Sequence, residues 1–418
     1  YILSALVRID GSSKFSSGSK YGTFPAFGFK WRMLEEKFAQ NTLGKIFSNF
    51  DLRLNYGVTG NQEFPAYASL ALQQSNFVGS QSVITNSNPN LRWEQTTTTG
   101  AGIDFTMFNG RLNGTVDYFN KSTQDLLFLI SYPQPAASAD RWVNLPGNVV
   151  NKGWEFSANY RDKVGDFNYS ITANLSDVRN EVLDTKGLDI VQGNQVSRAG
   201  FPVRAYQLYR TNRLYQPGEN YNLPYNGTRI TGAGDIKYVD MDGNDTLNAK
   251  DRMLMGNNFP RYDFSLNLNA DYKGFDLNIF LFGVAKRDNY ISGVGVEPFN
   301  AGNWFATGLT SALERWTPQK TNSAYPRLFS GGNGNYIASD FWLRNGAFMR
   351  VKHITLGYTL DKKWADKIGV QQLRFYVNAV NPLTFSNYEP GFDPEISNTN
   401  GAFYPIMKTT TIGVNLRF

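Results

Sequence analysis

Residues 101–118 read Ala-Gly-Ile-Asp-Phe-Thr-Met-Phe-Asn-Gly-Arg-Leu-Asn-Gly-Thr-Val-Asp-Tyr, with Asn109-Gly110 at the centre of the stretch. The dipeptide Asn-Gly favours a two-residue type I′ turn between antiparallel strands. Folding the chain at that turn sets Met107 opposite Leu112, and the apolar positions of both arms then share one face. The stretch therefore predicts a β-hairpin with one apolar face and one polar face.

The same period of two recurs along the chain. A second hairpin is predicted at Lys273-Gly274, where Ala270 faces Leu277, and residues 411–418 alternate up to the C-terminus. About twelve strands are predicted, near 1–9, 24–33, 50–60, 97–107, 111–121, 153–161, 166–177, 261–272, 275–284, 348–360, 371–381 and 408–418.

The connections between these strands alternate between short and long. The short ones lie near 34–49, 108–110, 162–165, 273–274 and 361–370, and the long ones near 61–96, 122–152, 178–260, 285–347 and 382–407. Strands of about ten residues with this loop asymmetry are typical of an outer-membrane β-barrel. Aromatic residues are expected near strand ends, as in an interfacial girdle: Trp31, Tyr118, Trp154, Tyr160, Tyr262, Tyr272, Tyr358 and Phe418.

The composition favours the barrel over a soluble β-sandwich or propeller, which also alternates. Charged residues make up only 18% of the 418 residues, where soluble domains carry about 25%. No apolar run is long enough for a membrane helix.

The chain opens inside an alternating segment, so we expect it to begin in the middle of a longer protein. The whole of 1–418 is predicted to be barrel wall with long extracellular loops, and the net charge of +6 does not favour nucleic acid as a partner.

Several motifs follow one another along the chain: residues 8–15, 21–26, 52–61, 88–94 (Asn-Pro-Asn-Leu-Arg-Trp-Glu), 151–155, 234–238, 350–358 (Arg-Val-Lys-His-Ile-Thr-Leu-Gly-Tyr), 393–395 (Asp-Pro-Glu) and the terminal 413–418. In this order they resemble the barrel of SusC/RagA-type TonB-dependent transporters, and the resemblance covers nearly the whole chain.

The resemblance implies an all-β, antiparallel transmembrane barrel of 22 strands, of which this chain would supply the C-terminal part. It also implies an N-terminal plug, a TonB-binding segment and a SusD-like surface lipoprotein that closes as a lid, none of which lies in residues 1–418. Two transporter–lid pairs are expected to form a dimer in the outer membrane. His353 stands where the family motif leads us to expect Asn, and we assign it no function.

One loop has metal chemistry of its own. Oxygen donors occupy positions 1, 3, 5, 9 and 12 of a twelve-residue stretch, with a main-chain carbonyl at position 7, as in a Ca²⁺ loop: Asp240, Asp242, Asn244, Asn248, Asp251 and Thr246. Position 6 is Asp245 rather than Gly, and position 12 is Asp rather than Glu. The alternative is a cluster of Asp and Asn turns that hydrogen-bond internally. A structural calcium ion in the extracellular 178–260 loop is the prediction.

Enzymatic activity is not expected. Cys is absent and His353 is the only histidine, which leaves no material for thiol chemistry and almost none for a Ser-His-Asp triad. Ser17-Gly18-Ser19-Lys20 matches a Ser-x-x-Lys pattern, but it lies in a Gly/Ser loop with no helix to hold the pair in register.

Three functions are compatible with these observations. The first is TonB-dependent import of an oligosaccharide or peptide across the outer membrane of a Gram-negative bacterium of the Bacteroidetes type. The second is a passive porin with a self-contained barrel, and the third is an outer-membrane enzyme or adhesin. Aromatic loop segments at 221–226 and 300–305 are expected to contact either the substrate or the lid.

Overall fold

A computed structural model describes residues 1–69, 72–75, 81–85, 88–131, 140–221, 223–225, 228–229, 232–293, 310–328, 334–396 and 403–418. Most of these residues lie in antiparallel strands. Within the described ranges, no helix combines the length and apolar character needed to cross a membrane. The chain divides into two compact units, residues 1–162, 170–190 and 197–203 in the first, and 163–169, 191–196 and 204–418 in the second.

The first unit consists mostly of long antiparallel strands, which pair with one another in chain order. A short strand pair and one short helix lie in the connections. The elements are β1 (Ile2–Gly11), β2 (Tyr21–Arg32), α1 (Lys37–Thr42), β3 (Phe47–Asn61), β4 (Leu72–Ser75), β5 (Gln81–Thr85), β6 (Glu94–Met107), β7 (Leu112–Ser131), β8 (Asp140–Val164) and β9 (Phe167–Asp184).

The chain continues through short strands in the loops and five further long strands, which again pair in chain order. The elements are β10 (Ile190–Gln192), β11 (Gln195–Ser197), β12 (Ala205–Tyr209), β13 (Thr211–Leu214), β14 (Pro224–Tyr225), β15 (Thr228–Arg229), β16 (Ile236–Tyr238), β17 (Arg252–Leu254), β18 (Arg261–Tyr272), β19 (Phe275–Lys286), β20 (Asp288–Tyr290), β21 (Leu343–Asn345), β22 (Phe348–Thr359), α2 (Lys362–Lys367), β23 (Gln372–Ser386) and β24 (Thr409–Arg417).

Both predicted hairpins are confirmed in their register. Met107 pairs with Leu112, and Ala270 pairs with Leu277. At the first turn, Asn109 has φ 57° and ψ 39°, and Gly110 has φ 87°, as a type I′ turn requires. The long strands in the described residues number twelve, as expected from the alternation.

The predicted ends of several strands were wrong, most clearly for β7 and β8. These strands run on to Ser131 and from Asp140, well beyond the predicted 111–121 and 153–161. The reason is a bulge at Asp125, where φ is +56° and the pairing register shifts before it resumes. Tyr118 and Trp154 pair with each other inside these longer strands, so the prediction that they lie near strand ends was also wrong.

The apolar faces of the long strands are exposed. Leu54 is 44% exposed and Val116 41% in the first unit, and Val377 is 43% exposed in the second. A soluble sandwich buries this face, whereas a transmembrane barrel turns it toward lipid. The alternation therefore has the orientation expected of a barrel wall, with the apolar side chains on the exposed face.

On the polar face of the first unit, charged side chains lie along the wall and pair with one another. Arg53 of β3 donates from Nε to Asp104 (3.0 Å) and from Nη2 to Asp117 of β7 (2.9 Å), reaching across β6. The strand in between has Gly102 at the crossing point, paired with both Arg53 and Asp117. A Cβ at that glycine would lie 2.2 Å from Asp117 Oδ1, so only glycine leaves room for the bridge.

The second unit repeats this arrangement with other residues. Arg374 of β23 bonds Asp276 of β19 through Nε (2.8 Å) and Nη2 (2.5 Å), and passes over Gly357 of β22. A Cβ at Gly357 would lie 2.4 Å from Asp276 Oδ1 and 2.5 Å from Arg374 Nη2. In both units a glycine allows an arginine to span two strand spacings. We call each such position a glycine seat.

Small aromatic cores lie where the loops meet the strands. In the first unit, Trp93 packs against Phe15 and Phe24, with ring centroids 5.1 and 5.5 Å apart. Lys14 secures this cluster because its Nζ donates to the carbonyl of Phe64 at 2.8 Å. Phe15 and Trp93 belong to two of the motifs that carry the family resemblance, and the structure gives both a packing role.

A second core is formed by the long loops of the second unit. We call it the loop core; it consists of Tyr209, Leu214, Ile236, Tyr238, Leu247, Ile291, Trp316 and Trp342, all buried. Burial raises the pKa of the Tyr238 hydroxyl, which donates to the carbonyl of Gly334 at 2.6 Å. The loops of this unit are therefore a folded structure with its own hydrophobic centre.

The glycine seat at Gly102 can be tested by substitution. Gly102→Ala should lower the free energy of unfolding by about 1–3 kcal/mol, because the new methyl group must displace the Arg53–Asp117 pair. Gly57→Ala is the matched control: this glycine lies on the neighbouring strand β3, and a Cβ there would meet only Ala26 Cβ at 3.7 Å. Urea unfolding in lipid vesicles measures both. Equal effects of the two substitutions would contradict the seat.

Candidate metal centre

The predicted calcium loop connects two strands of the loop-core region. It follows β16, which pairs with β13, and precedes β17, which pairs with β12. Leu247, at position 8 of the loop, is fully buried in the loop core, and its N–H donates to the carbonyl of Pro224 at 2.9 Å. The loop is therefore anchored to the core from within.

Three of the predicted ligands come together. A carboxylate oxygen from each of Asp240, Asp242 and Asp251 lies within 4.8 Å of the other two. These residues occupy positions 1, 3 and 12 of the loop. Their burial differs, since Asp242 is exposed, Asp240 is half-buried and Asp251 is buried. A cluster of three carboxylates with hard oxygen donors matches the ligand chemistry that Ca²⁺ prefers.

The turn at positions 4 to 6 has the backbone that a calcium loop requires. Gly243 has φ 73° and Asp245 has φ 58°, both in the left-handed region. Asp is among the few side chains that adopt this conformation at moderate cost. The departure from Gly at position 6 is thus accommodated by the local geometry.

The other three predicted ligands take part in hydrogen bonds within the loop. Asn244 donates to Asp242 Oδ2 (2.9 Å) and accepts from the N–H of Thr246 (2.9 Å). Asn248 donates to the carbonyl of Thr246 (3.1 Å) and accepts from the N–H of Lys250 (2.9 Å). The loop therefore has the internal Asx-turn network of the alternative interpretation, together with the gathered carboxylates of the calcium interpretation.

Asp251 organises the loop from its last position. Its Oδ1 accepts from the N–H of Met241 (2.8 Å), and its Oδ2 accepts from the N–H of Asn248 (2.7 Å). Asn248 and Asp251 together form a capping box at the start of a short 3-10 turn. This capping role and the anchoring by Leu247 were not predicted from the sequence, although an apolar residue at position 8 was a visible signal.

The electrostatics of the first position favour the ionised state. Burial acts to raise the pKa of Asp240, but N–H groups of Asp245, Gly243 and Asn244 donate to its carboxylate and hold that pKa below the ordinary value of 3.8. A depressed pKa in the folded state stabilises the loop above that ordinary value, and the contribution is lost as pH falls through the depressed value.

The other residues that the sequence analysis weighed as possible catalytic or binding groups lie either on the long strands or in loops. His353 on β22 hydrogen-bonds Asn278 on β19, and its ring lies tilted against that of Phe280, with centroids 5.7 Å apart. Ser17 and Lys20 lie in a turn between β1 and β2. Asn222, Asn226 and the segment 300–305 lie outside the described residues.

Comparison with known proteins gives the family of the chain. A family model described as "TonB dependent receptor-like, beta-barrel" matches residues 1–284. The chain belongs to this family. The β-barrel family membership places it among outer-membrane proteins.

Relatives over the full chain agree with this assignment. The chain is 31% identical to TonB-dependent receptor P3 of Formosa agariphila and covers 44% of that protein. It is 30% identical to TonB-dependent receptor SusC of Bacteroides thetaiotaomicron and covers 42% of it. The chain thus spans less than half the length of the curated relatives it matches. Their names are those of receptors and not of enzymes.

A solved structure has the same fold. The RagAB peptide transporter superposes with a TM-score of 0.83 at 23% identity, and the match covers all of this chain and 45% of that one. The resemblance to SusC/RagA-type barrels inferred from the motifs is therefore confirmed, and the chain corresponds to the C-terminal barrel part.

The role of Asp251 in organising the 240–251 loop of this TonB-dependent receptor barrel can be tested by substitution. Asp251→Asn should make local opening of the loop easier by about 1–3 kcal/mol, because a donor NH₂ replaces one acceptor oxygen opposite backbone N–H groups. Hydrogen exchange of the Met241 and Asn248 amides, followed by mass spectrometry, should become faster. Asp245→Asn is the control, since its side chain is exposed. Unchanged exchange in Asp251→Asn would contradict the role.

Proposed function

We propose that the protein containing this chain imports a nutrient across the outer membrane in a TonB-dependent way, together with a SusD-like lipoprotein lid. Family membership carries the proposal, since both the family description and the names of the relatives specify dependence on TonB. Two relatives support the lid: one is named SusC, and the other is the RagAB transporter. The lid, the coupling to TonB and a dimer of transporter–lid pairs remain part of the proposal.

The proposed substrate is an oligosaccharide or a peptide. RagAB is a peptide transporter, and this supports a peptide for a chain of the same fold. Aromatic and amide side chains, which both classes of substrate favour, are frequent in the long loops. The described loops of the second unit are built on the loop core, which gives such side chains a rigid support.

Import can be tested in the source bacterium with the full-length protein. We expect deletion of its gene to abolish growth on one member of a panel of oligosaccharides and a casein peptide digest, each offered as sole carbon source. Complementation should restore growth only in cells with a working TonB system, because passage depends on that energy source. Growth rate on each carbon source is the measurement.

A passive porin predicts a different result. Growth would then be restored in cells that lack TonB function, and active import would be withdrawn. The denatured intact mass of the polypeptide from its native membrane gives a further distinction. A transporter of the relatives' length has a mass on the order of twice 47.0 kDa, whereas a self-contained barrel has about that mass.

We further propose that the 240–251 loop binds Ca²⁺ as a structural ion. Six residues would hold it: Asp240, Asp242, Asn244, Thr246 through its carbonyl, Asn248 and Asp251. The gathered carboxylates and the left-handed turn support this proposal. The ion would offset the repulsion between the three carboxylates and fasten the β16–β17 connection to the loop core.

Calcium binding can be measured directly on the purified full-length protein. We expect Ca²⁺ to raise the temperature of thermal unfolding relative to protein in EDTA, because a ligand that binds only the folded state stabilises it. Asp240→Asn should remove most of this increase, since it replaces a charged ligand at position 1. Differential scanning calorimetry and isothermal titration calorimetry with CaCl₂ are the measurements.

Asp245→Asn is the matched control, because it removes one carboxylate from the same loop without removing a proposed ligand. It should retain the calcium-dependent increase. Equal unfolding temperatures in Ca²⁺ and in EDTA for the unsubstituted protein would contradict the calcium proposal and leave the Asx-turn network as the account of the loop.

A further inference from the structure

Two motifs that carry the family resemblance contact each other although about forty residues separate them. Arg350 of β22 bonds Asp393 from Nη2 (2.6 Å) and Glu395 from Nη1 (2.5 Å). Lys352, also on β22, bonds the other oxygen of Glu395. The Nε of Arg350 donates to Thr384 Oγ1 at 2.9 Å. The Arg350 guanidinium, with its side chain only 3% exposed, therefore has an acceptor at each of its three nitrogens.

A third carboxylate of the same segment is held from another direction. Glu389 is 4% exposed, and its Oε2 accepts from Arg344 Nε of β21 at 2.6 Å. Its Oε1 accepts from the hydroxyl of Tyr325 at 2.6 Å. Segment 387–396 is thus bonded to β21, to β22 and to residue 325.

The charges in this cluster balance. Arg344, Arg350 and Lys352 contribute three positive charges, and Glu389, Asp393 and Glu395 contribute three negative charges, as follows from the residue types. Arg350 and Glu389 are buried, whereas the other four side chains are 17–25% exposed. A buried charge is unfavourable unless it is paired and hydrogen-bonded, so Arg350 and Glu389 each require the partners that they have here.

The same segment also closes the loop core. Tyr388 and Phe392 pack against it from the side of the segment. Their positions depend on the neighbouring carboxylates, because Glu389 follows Tyr388 and Asp393 follows Phe392 in the chain. The ionic contacts and the packing contacts thus fix the same stretch of backbone.

We infer that Glu389, Asp393 and Glu395 with Arg344, Arg350 and Lys352 form a carboxylate clasp that holds segment 387–396 in one position as a fixed wall of the long-loop region. Arg350 is the positioning residue at its centre. The biological purpose of the clasp, which is to present a preformed surface to the substrate, rests on the proposed import function. The clasp itself does not depend on transport.

The clasp can be tested by cleavage with endoproteinase Glu-C, which cuts after glutamate. Glu389 precedes Pro390, where this enzyme does not cut, so the bond after Glu395 is the reporter. In the full-length protein in detergent, we expect this bond to be protected. Arg350→Gln should increase cleavage there at least tenfold, because the released segment becomes accessible. Arg350→Lys, which keeps a charge, should restore part of the protection. Peptide mapping by mass spectrometry identifies the cut sites.

Arg374→Gln is the matched control. It breaks the pair with Asp276 on the barrel wall without touching the clasp, and it should leave cleavage after Glu395 unchanged. Protection that persists in Arg350→Gln, or cleavage that increases equally in Arg374→Gln, would overturn the clasp.

A second variant covers the case in which Arg350→Gln does not fold. Asp393→Asn removes one carboxylate from the segment and leaves the strands intact, and it should also expose the bond after Glu395. Protection equal to that of the unsubstituted protein would overturn the inference. Proteolysis does not require TonB or substrate, so failure of the clasp and failure of the import proposal give separate results.

Discussion

The pairing of backbone groups between neighbouring strands is the constraint on which the rest of this structure depends. A sheet that crosses lipid must satisfy every N–H and C=O sideways, because lipid offers no partner. This requirement holds the strands extended, and extended strands direct alternate side chains to opposite faces. The apolar side chains then lie on the exposed face, as Leu54 and Val116 do. Charged side chains of the long strands, such as Arg53 and Arg374, then lie on the other face, where they pair with aspartates.

The glycine seats are one consequence of placing paired charged side chains on the polar face. Arg53 and Arg374 each reach an aspartate two strands away, and each passes over a glycine on the strand between. The pairing removes the cost of an isolated charge, and the glycine removes the steric barrier. The two sites share no residues and lie in different units. The same geometry therefore arises twice because an arginine can reach an aspartate two strands away only if the strand between has no side chain at the crossing point.

The sequence was sufficient for the features that depend on local pattern. The hairpin registers followed from period two and from the turn residues at Asn109 and Gly110. The carboxylates of Asp240, Asp242 and Asp251 come together as their spacing predicts. The ends of the strands were harder to predict from the sequence. The polar pair Gln124 and Asp125 resembles the end of a strand but is a bulge, after which the strand continues. The bonds between Arg350 and Asp393 could not be predicted, since neither residue has a local signal for a partner so distant in the chain.

The loop core explains why such distant bonds are needed in the second unit. Its eight buried residues come from five separate stretches of chain, and each stretch loses conformational entropy when it is fixed. So small a core offers limited apolar burial to offset that loss. Polar anchors act at the edges where the connections enter: Asp251 beside Leu247, and Glu389 and Asp393 beside Tyr388 and Phe392. Asp251 accepts from two N–H groups of its own loop, and Glu389 accepts from Arg344 and from Tyr325. In both places a carboxylate therefore fixes a connection beside the apolar core.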